Sequence, residues 1–419
     1  MLKTFNFEKL PIVEIVNEII IDATKNRASD IHIDPFNDVL KIRIRIDGTL
    51  IDYATVPNDY KKNLVTRIKI IAGMNITENR LPQDGAIKTS LNGIPLDMRV
   101  SSLPTNNGEK IVIRILDYSM SIQGLEQLGF TKDNFEKIMK MINLPNGIIL
   151  VTGATGTGKS TTVYSILQRL NREEANVITV EDPVEMDIPG VNQVQVNSEI
   201  GLTFANVLRS ILRQDPDIIM IGEIRDDETA TIAVRASVTG HLVLSTIHTN
   251  NSLNTIERLL DMEVERYLLA ASLSGIISQK LARKLCPHCR KKITPTPYEK
   301  YLFKKNLGID LNEIYVAGDG CDNCMNGYRG RIAIHEVLLI DEDIRDAISN
   351  NVRKEDLRKL VYSENVHTLL QDGLIKVAQG LTSFEEIIKL IELDVEDIVI
   401  PKGENAENNN VQDSNVEQK

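Results

Sequence analysis

Eight residues near the middle of the chain have the types and spacing of a phosphate-binding loop. They read GATGTGKS, from Gly153 to Ser160, between a strand-like apolar stretch and a helix-like one. The pattern G-x-x-x-x-G-K-[ST] requires this context. Glycines let backbone N–H groups surround phosphate oxygens, Lys159 adds a cation, and the Ser160 hydroxyl offers a ligand to Mg²⁺. The segment predicts a nucleoside triphosphate site, and a chance glycine-rich turn is the weaker alternative. The residues predicted to bind nucleotide are Gly153, Ala154, Thr155, Gly156, Thr157, Gly158, Lys159, Ser160 and Thr161.

Acidic residues follow two other apolar stretches. DIIMIGE ends in Glu223, and ITVEDPVE brings Glu181, Asp182 and Glu185 together. Phosphoryl transfer to water needs a metal ion, a group that orients the water and stabilisation of charge at the γ-phosphate. We expect Glu223 to activate water, Glu185 to take part in catalysis, and Glu223 and Asp182 to hold Mg²⁺ together with Ser160. The alternative is that these acids are solvated loop residues.

Two histidines flank a fourth apolar stretch, TGHLVLSTIHTN. His241 precedes the stretch and His248 follows it. His248 is expected to contact a γ-phosphate, because it stands at the same end of its strand as the acids stand on theirs. A lone histidine is often structural, and this remains the alternative for both residues.

All four cysteines fall in two C-x2-C clips. Cys286 and Cys289 form the first, Cys321 and Cys324 form the second, and 31 residues separate them. Such clips favour Zn²⁺ held by four thiolates, and a closed set of four ligands makes the metal structural. His288 lies inside the first clip and is interpreted as a bystander. The alternative is reduced surface thiols without metal.

The apolar stretches that carry these side chains indicate one sheet. GIILVTG, NVITVED, DIIMIGE and HLVLSTIH alternate with helix-like segments, and near-continuous apolar strands of this kind predict an α/β fold with a parallel sheet buried on both faces. Ligands of such sheets bind at the carboxyl ends of the strands. The candidate residues stand at these ends.

The rest of the chain divides around this sheet. A helix-like segment and alternating strands such as KIRIRID predict an α+β domain over residues 1–117, followed by a linker over 118–127. The ATPase-type domain is expected over 128–400, with the metal segment at 286–324 and helices from 337 to 395. Residues 401–419 have little apolar content, which predicts disorder.

Composition narrows the class of protein. A net charge of −11 and a pI near 5.2 argue against broad nucleic-acid binding. No apolar run approaches the ~18 to 20 residues that span a bilayer, and the first residues do not read as a secretory signal. We therefore expect a cytoplasmic protein, where cysteines serve as metal ligands more often than as disulfides.

Taken together, these motifs resemble the ATPase family of type II secretion and type IV pilus assembly. The resemblance runs from about Pro11 to about Leu393. It is carried by ASDIHIDP, RLPQDG, RVSSLPTNNGEKIVIRIL, VTGATGTGKSTTVY, ITVEDPVE, LRSILRQDPDIIMIGEIRD, TGHLVLSTIHTN, the two clips and GYRGRIAIHEVL. A phosphate-binding loop alone would be weak evidence for a family, whereas this ordered set is specific.

The resemblance implies a RecA-like P-loop ATPase core preceded by a PAS-like α+β domain, in a homohexameric ring. It implies that ATP lies between the two domains with Mg²⁺, that Zn²⁺ fills the clips, and that neighbouring subunits complete the site. Glu223 corresponds to the catalytic glutamate, and Arg99 and Arg114 resemble arginines that the family directs towards phosphates. The implied partner is a polytopic platform protein, which would hold the ATPase at the inner face of the cytoplasmic membrane.

The sequence departs from the family pattern in two places. The family commonly reads QDGR, whereas Ala86 follows QDG here, so one arginine is absent and Arg80 is the nearby alternative. Many pilus ATPases also carry a further N-terminal domain, and we expect a short form without it.

The favoured function is an ATP-hydrolysing motor for assembly of a type IV pilus or a secretion pseudopilus. The clips favour assembly, because retraction ATPases of the family lack them. A competence-type DNA-uptake pilus ATPase is a close alternative. A nucleotide-gated structural subunit with little turnover and a DNA-translocating motor are more distant ones.

Overall fold

The computed structural model describes residues 3–91, 94–116, 124–363 and 366–391. The predicted disordered segment 401–419 and residues 118–123 of the predicted linker lie outside the described residues. Among the described residues, no helix is both long and apolar enough to cross a lipid bilayer.

The N-terminal part consists of one antiparallel sheet with two helices packed on it. Its elements are α1 (Ile12–Lys25), β1 (Ala28–Pro35), β2 (Val39–Ile46), β3 (Thr49–Pro57), α2 (Asn58–Ile71), β4 (Gln83–Leu91), β5 (Ile94–Thr105) and β6 (Gly108–Leu116). The strand order is β3-β2-β1-β6-β5-β4. As the alternation in KIRIRID predicted, Ile42 and Ile44 are buried in the core, while Arg43 faces outward and pairs with Asp34.

The larger part contains the expected sheet of apolar strands. Its first elements are α3 (Lys132–Ile142), β7 (Gly147–Thr152), α4 (Lys159–Leu170), β8 (Val177–Glu181), β9 (Asn192–Gln195), α5 (Phe204–Ile211), β10 (Ile218–Ile221), α6 (Asp227–Val238), β11 (Leu242–Ile247), α7 (Ser252–Asp261) and α8 (Arg266–Ser272). The remaining elements are β12 (Leu273–Leu285), β13 (Lys291–Ile293), α9 (Pro297–Leu307), β14 (Ile314–Val316), β15 (Tyr328–Leu339), α10 (Glu342–Ser349), α11 (Lys354–Val361), α12 (Leu369–Ala378) and α13 (Phe384–Leu390).

This sheet has the order β15-β12-β7-β11-β10-β8-β9, and its strands are parallel except for the antiparallel pair β12 and β15. Every residue of β7, β8, β10 and β11 is buried, because helices cover both faces. The carboxyl ends of these four strands therefore meet at one edge, where the phosphate-binding loop and the acidic segments begin. The α/β fold class predicted from the sequence is confirmed.

One boundary prediction was wrong. Helix was expected from residue 337, but 337–339 are the last residues of β15, where Val337 and Leu338 pair with β12 and are fully buried. An apolar segment of this length does not distinguish strand from helix, and the neighbouring strand decides the outcome. The helical region begins instead at Glu342.

The 31 residues between the cysteine clips contain a helix and two short strands. They contain α9, whose first turn is capped by Thr296 and Glu299 in a reciprocal pair of hydrogen bonds. Strands β13 and β14 pair on either side of this helix in the sequence and form a small antiparallel sheet. The spacer thus supplies its own structure and returns the chain to the second clip.

Candidate functional site

The phosphate-binding loop joins β7 to α4 in a shape that glycine makes accessible. Gly153 has a φ of +151°, and a Cβ there would lie 2.5 Å from the carbonyl oxygen of Gln279. Gly158 has a φ of +87° and is the residue before α4. Because glycine has no side chain, it cannot cap the first turn of α4, and this turn contains no acidic residue. The first N–H groups of α4 are therefore available to an anion. Ala154, Thr155 and Gly156 form the exposed tip of the loop, while Thr157, Ser160 and Thr161 are half-buried.

Lys159 lies inside the loop. Its ammonium donates to the carbonyl oxygens of Gly153 at 2.8 Å and Ala154 at 3.0 Å, and the residue is 9% exposed. Burial lowers the pKa of Lys159, and the carboxylates of Glu223 and Glu185 oppose this shift. The predicted cation and two of the predicted catalytic acids are therefore electrostatic neighbours.

Glu223 follows β10 and carries two basic partners. One carboxylate oxygen accepts a hydrogen bond from Arg225, and the other lies 3.3 Å from Nε2 of His248. Arg225 is also 3.6 Å from Asp182, which connects the ends of β8, β10 and β11. His241 lies at the opposite end of β11, and its Nδ1 is 2.8 Å from the carbonyl oxygen of Ala236. The structure therefore brings His248 to the predicted site and gives His241 a local role in the fold.

Glu181 has a different environment from the other acids. It is 3% exposed and accepts hydrogen bonds from Tyr164, Thr179 and Gln193. The Tyr164 hydroxyl in turn accepts a hydrogen bond of 3.2 Å from the backbone N–H of Glu185. Burial and the Glu181 carboxylate raise the pKa of Tyr164, so its phenol stays protonated. Tyr164 therefore connects α4 to the acidic segment after β8.

Two arginines predicted from the N-terminal domain have different contacts. Arg99 donates to the carbonyl oxygen of Val184 at 3.4 Å, so it reaches the ITVEDPVE segment of the other domain. Arg114 is exposed and forms an ion pair of 3.1 Å with Asp30 in its own domain. Ala86 stands opposite Arg99 on β4. The position without the family arginine therefore adjoins Arg99. Arg80 is highly exposed and pairs with Glu78.

A cavity of about 810 Å³ lies between the two domains beside the phosphate-binding loop. Its walls include Thr157 and Gly158 of the phosphate-binding loop and Arg27 of the N-terminal domain. Lys284 and Arg329 of the larger domain also line it. The volume falls in the range of small-molecule and cofactor sites. Basic side chains in these walls suit an anionic ligand.

The four cysteines converge as the clips predicted. Their sulfur atoms all lie within 4.8 Å of one another, with Cys286 to Cys321 at 3.8 Å and Cys289 to Cys324 at 3.5 Å. A tetrahedral ion with Zn–S bonds of about 2.3 Å would separate its sulfurs by roughly 3.8 Å. These separations exceed a disulfide bond of about 2.05 Å. The residues fit a four-thiolate metal site, and His288 is exposed outside the set.

The family of this chain follows from comparison with known proteins. The family described as "Type II/IV secretion system protein" matches residues 6–389. The chain belongs to this family. It is 44% identical over 381 residues to the "Type II secretion system ATPase E" of Vibrio cholerae. The matched residues are 91% of this chain and 75% of that protein. It is 45% identical over 380 residues to the "Type IV pilus assembly ATPase PilB" of Thermus thermophilus, covering 90% of this chain and 42% of that protein.

Solved structures of ATPases show the same fold. The pilus retraction motor PilT with bound ADP superposes with a TM-score of 0.61 at 27% identity, covering 93% of this chain and 99% of that one. The ATPase DotB of Legionella pneumophila superposes with a TM-score of 0.69 at 23% identity, covering 92% and 97%. The RecA-like core preceded by an antiparallel N-terminal domain is confirmed. The chain is a P-loop ATPase of the secretion and pilus motor family.

One residue that contacts the phosphate-binding loop was missed from the sequence. Gln279 on β12 donates to the carbonyl oxygen of Thr157 at 2.8 Å and accepts from the hydroxyl of Thr162 at 2.8 Å. It is therefore bonded to the phosphate-binding loop and to α4 at once. The only sequence indication was a polar residue in the apolar run SGIISQKLA, because buried polar side chains need partners.

Replacement of Tyr164 by phenylalanine tests the connection between α4 and Glu185. We expect Tyr164→Phe to lower kcat about tenfold with little change in ATP affinity. The substitution removes the hydrogen bond to the backbone N–H of Glu185, which costs roughly 1 kcal/mol or more, and Glu185 then moves relative to Lys159. Steady-state phosphate release measures both constants. Gln168→Ala, at an exposed position of the same helix, is the matched control, and equal kcat values for the two variants would contradict the connection.

Proposed function

We propose that this ATPase works as a homohexameric ring that hydrolyses ATP to ADP and phosphate and thereby powers assembly of a type IV pilus or a type II secretion pseudopilus. The observation that carries the proposal is the convergence of Lys159, Glu185 and Glu223 at one sheet edge, with Arg99 arriving from the N-terminal domain. A loop that binds phosphate, acids beside it and a cation on a second domain are the parts that couple hydrolysis to domain movement.

The nucleotide is proposed to lie across the phosphate-binding loop. The triphosphate would bind at the N-terminus of α4. Its oxygens would replace the loop carbonyl oxygens as acceptors of the hydrogen bonds that Lys159 donates. The base and ribose would enter the cavity between the domains, next to Thr157 and Gly158. Ser160, Glu223 and Asp182 supply the oxygen ligands that Mg²⁺ prefers, and Mg²⁺ when bound would neutralise charge on the phosphates.

Glu223 is proposed as the group that orients and activates the attacking water. Its carboxylate is shared by Arg225 and His248. A γ-phosphate beside them would compete for Arg225 and for His248, which releases a carboxylate oxygen to accept the proton of the water. The γ-phosphate would thereby change the contacts of His248, which lies at the carboxyl end of β11.

Arg99 and Arg114 are proposed to link hydrolysis to the N-terminal domain. Arg99 already reaches the acidic segment, whereas Arg114 holds Asp30 and is exposed. Guanidinium groups keep their charge and bind phosphate oxygens in a fork, so a domain that carries them closes when phosphate is present. Loss of the γ-phosphate would remove this attraction.

The metal site is proposed to hold structural Zn²⁺. Four sulfurs fill a tetrahedral shell, so Zn²⁺ when bound would cross-link the lobe of α9, β13 and β14 without an open position for substrate. The clips support assembly over retraction as the direction of the motor, since the family resemblance associates them with assembly ATPases.

The proposed partner is a polytopic platform protein that holds the ring at the inner face of the cytoplasmic membrane. No direct contact with nucleic acid is proposed, because the chain has a net charge of −11. A competence-type DNA-uptake pilus is a variant of the same function. A structural subunit with little turnover is less favoured, because Lys159, Glu223 and His248 stand together at the site.

Deletion of the gene followed by complementation tests the direction of the motor. We expect deletion to remove surface filaments or secreted substrate, the wild-type gene to restore them, and Glu223→Gln not to restore them. Immunoblots of the pilin or pseudopilin in sheared surface fractions measure the effect. An increase of filaments after deletion would indicate retraction and would contradict the proposal.

A further inference from the structure

A contact between the two domains forms part of one wall of the interdomain cavity. The carboxylate of Asp47 accepts a hydrogen bond of 2.7 Å from the backbone N–H of Gly330, and its other oxygen lies 3.8 Å from Nε of Arg331. All three residues line the cavity beside the phosphate-binding loop. The contact joins positions that are 283 residues apart in the chain.

The N-terminal side of this contact is a tight hairpin turn. Asp47 and Gly48 form the tight turn between β2 and β3, with φ values of +48° and +84°. Two consecutive residues in the left-handed region are typical of a two-residue hairpin turn, and Asp-Gly is a favoured pair for it. Arg45 donates to the carbonyl oxygen of Gly48 at 2.9 Å, which braces the turn. The carboxylate of Asp47 is thus presented at the tip of a fixed hairpin.

The other side of the contact is held by three anchors. The Tyr328 hydroxyl is 2.8 Å from that of Ser383, and the guanidinium of Arg283 stacks on the Tyr328 ring at 4.0 Å. The carbonyl oxygen of Gly327 accepts a hydrogen bond of 2.8 Å from the N–H of Cys286. The segment 328–331 is therefore tied to both α13 and the four-cysteine lobe before it meets Asp47.

Charge at the contact favours an acid at position 47. The cavity walls around it carry Lys25, Arg27, Lys284 and Arg329, and Arg331 points to Asp47 itself. An anionic ligand in this cavity would attract the same cations. The carboxylate of Asp47 is the acidic partner of both Arg331 and the Gly330 N–H in this wall.

We infer that Asp47 is a positioning residue for nucleotide: it fixes the 328–331 segment against the N-terminal domain and so holds the cavity wall in the conformation that binds. This inference rests on the proposed nucleotide site and adds a positioning contact to it. When only a fraction of the molecules has the conformation that binds, the apparent affinity equals the intrinsic affinity multiplied by that fraction. Asp47 therefore acts on ATP binding and leaves the chemical step to Glu223.

Two variants separate the side chain from the backbone of the turn. Asp47→Gly removes the carboxylate and accepts the left-handed φ without strain, while Asp47→Asn keeps an oxygen acceptor for Gly330 and loses only the charge. Asp52→Ala is the matched control, since Asp52 lies on the same hairpin in an exposed pair with Lys41. All variants are made in the full chain.

The experiment combines hydrogen exchange at the Gly330 amide with ATP binding and turnover. In Asp47→Gly we expect exchange at Gly330 to accelerate at least tenfold, the KM for ATP to rise roughly tenfold, and kcat to stay within about twofold. Asp47→Asn should recover most of the KM, and Asp52→Ala should match the wild type in all three measurements.

Two results would overturn the inference. One is wild-type exchange at Gly330 in Asp47→Gly, which would mean that the carboxylate does not hold the segment. The other is faster exchange with the KM of the Asp52→Ala control, which would mean that the segment does not matter for nucleotide. A wild-type chain that binds no ATP would instead refute the proposed function, and exchange at Gly330 would still test the contact.

Discussion

Glu223→Gln is expected to lower the rate of phosphate release by a factor of roughly 10² to 10⁴, the range of a positioned acid–base group. The amide has nearly the same shape as the carboxylate but cannot take a proton from water. It also removes the negative charge that Arg225 and His248 share in the structure. The loss should therefore fall on kcat.

ATP binding should survive this substitution. The phosphate-binding loop and Lys159 are unchanged, and the glutamine side chain still offers Mg²⁺ an oxygen ligand, so the affinity for ATP should stay close to that of the wild type. Binding of a fluorescent ATP analogue checks this, with Lys159→Ala as the control that should fail to bind. A Glu223→Gln chain that released phosphate at the wild-type rate would show that another group activates the water.

Cys286→Ser is expected to release the bound metal and to lower the free energy of unfolding of its lobe by about 4 kcal/mol or more, because folding and metal binding are one process at such sites. Cys286 is fully buried at the end of β12, and its N–H is bonded to Gly327 next to the second clip. A serine there would also bury an unpaired hydroxyl.

Metal content per chain and thermal unfolding measure this prediction. The wild type should carry one zinc per chain and Cys286→Ser close to none. His288→Ala is the matched control, and it should keep both the metal and the stability, since His288 is exposed outside the four sulfurs. A wild-type chain without metal, or a Cys286→Ser chain of unchanged stability, would contradict the account.

The local geometry of the candidate site follows from the sequence where its residues are close together along the chain. The loop from Gly153 to Ser160, the acid after β10 and the cysteine clips are short patterns whose neighbours along the chain fix their geometry. The parallel sheet follows from apolar strands that alternate with helices, and it brings the strand ends to one edge. The family resemblance stated from these motifs is confirmed.

Contacts that depend on distant strands were not predictable. Gln279 meets Thr157 only because β12 pairs with β7, and Asp47 meets Gly330 only because the two domains pack together. Glu181 read as one more acid after a strand, whereas Tyr164 and Gln193 take it into the interior. Periodicity and motifs do not specify the register of strands far apart in sequence.

The same limit applies to the two arginines. Arg99 and Arg114 are adjacent on β5 and β6, and one reaches the other domain while its neighbour pairs with Asp30. Their shared resemblance to family arginines carried no information about this difference, because it depends on which acceptor each guanidinium can reach: a backbone carbonyl oxygen for Arg99 and a carboxylate for Arg114. Their roles towards phosphate stay predictions.

The most direct test of the motor is the rate of phosphate release per chain, measured together with particle mass across a series of protein concentrations. We predict that turnover per chain rises with the fraction of hexamers, since neighbouring subunits are proposed to complete each site. Rings of Glu223→Gln should form and remain inactive. A fully assembled wild-type ring that releases no phosphate would contradict the account.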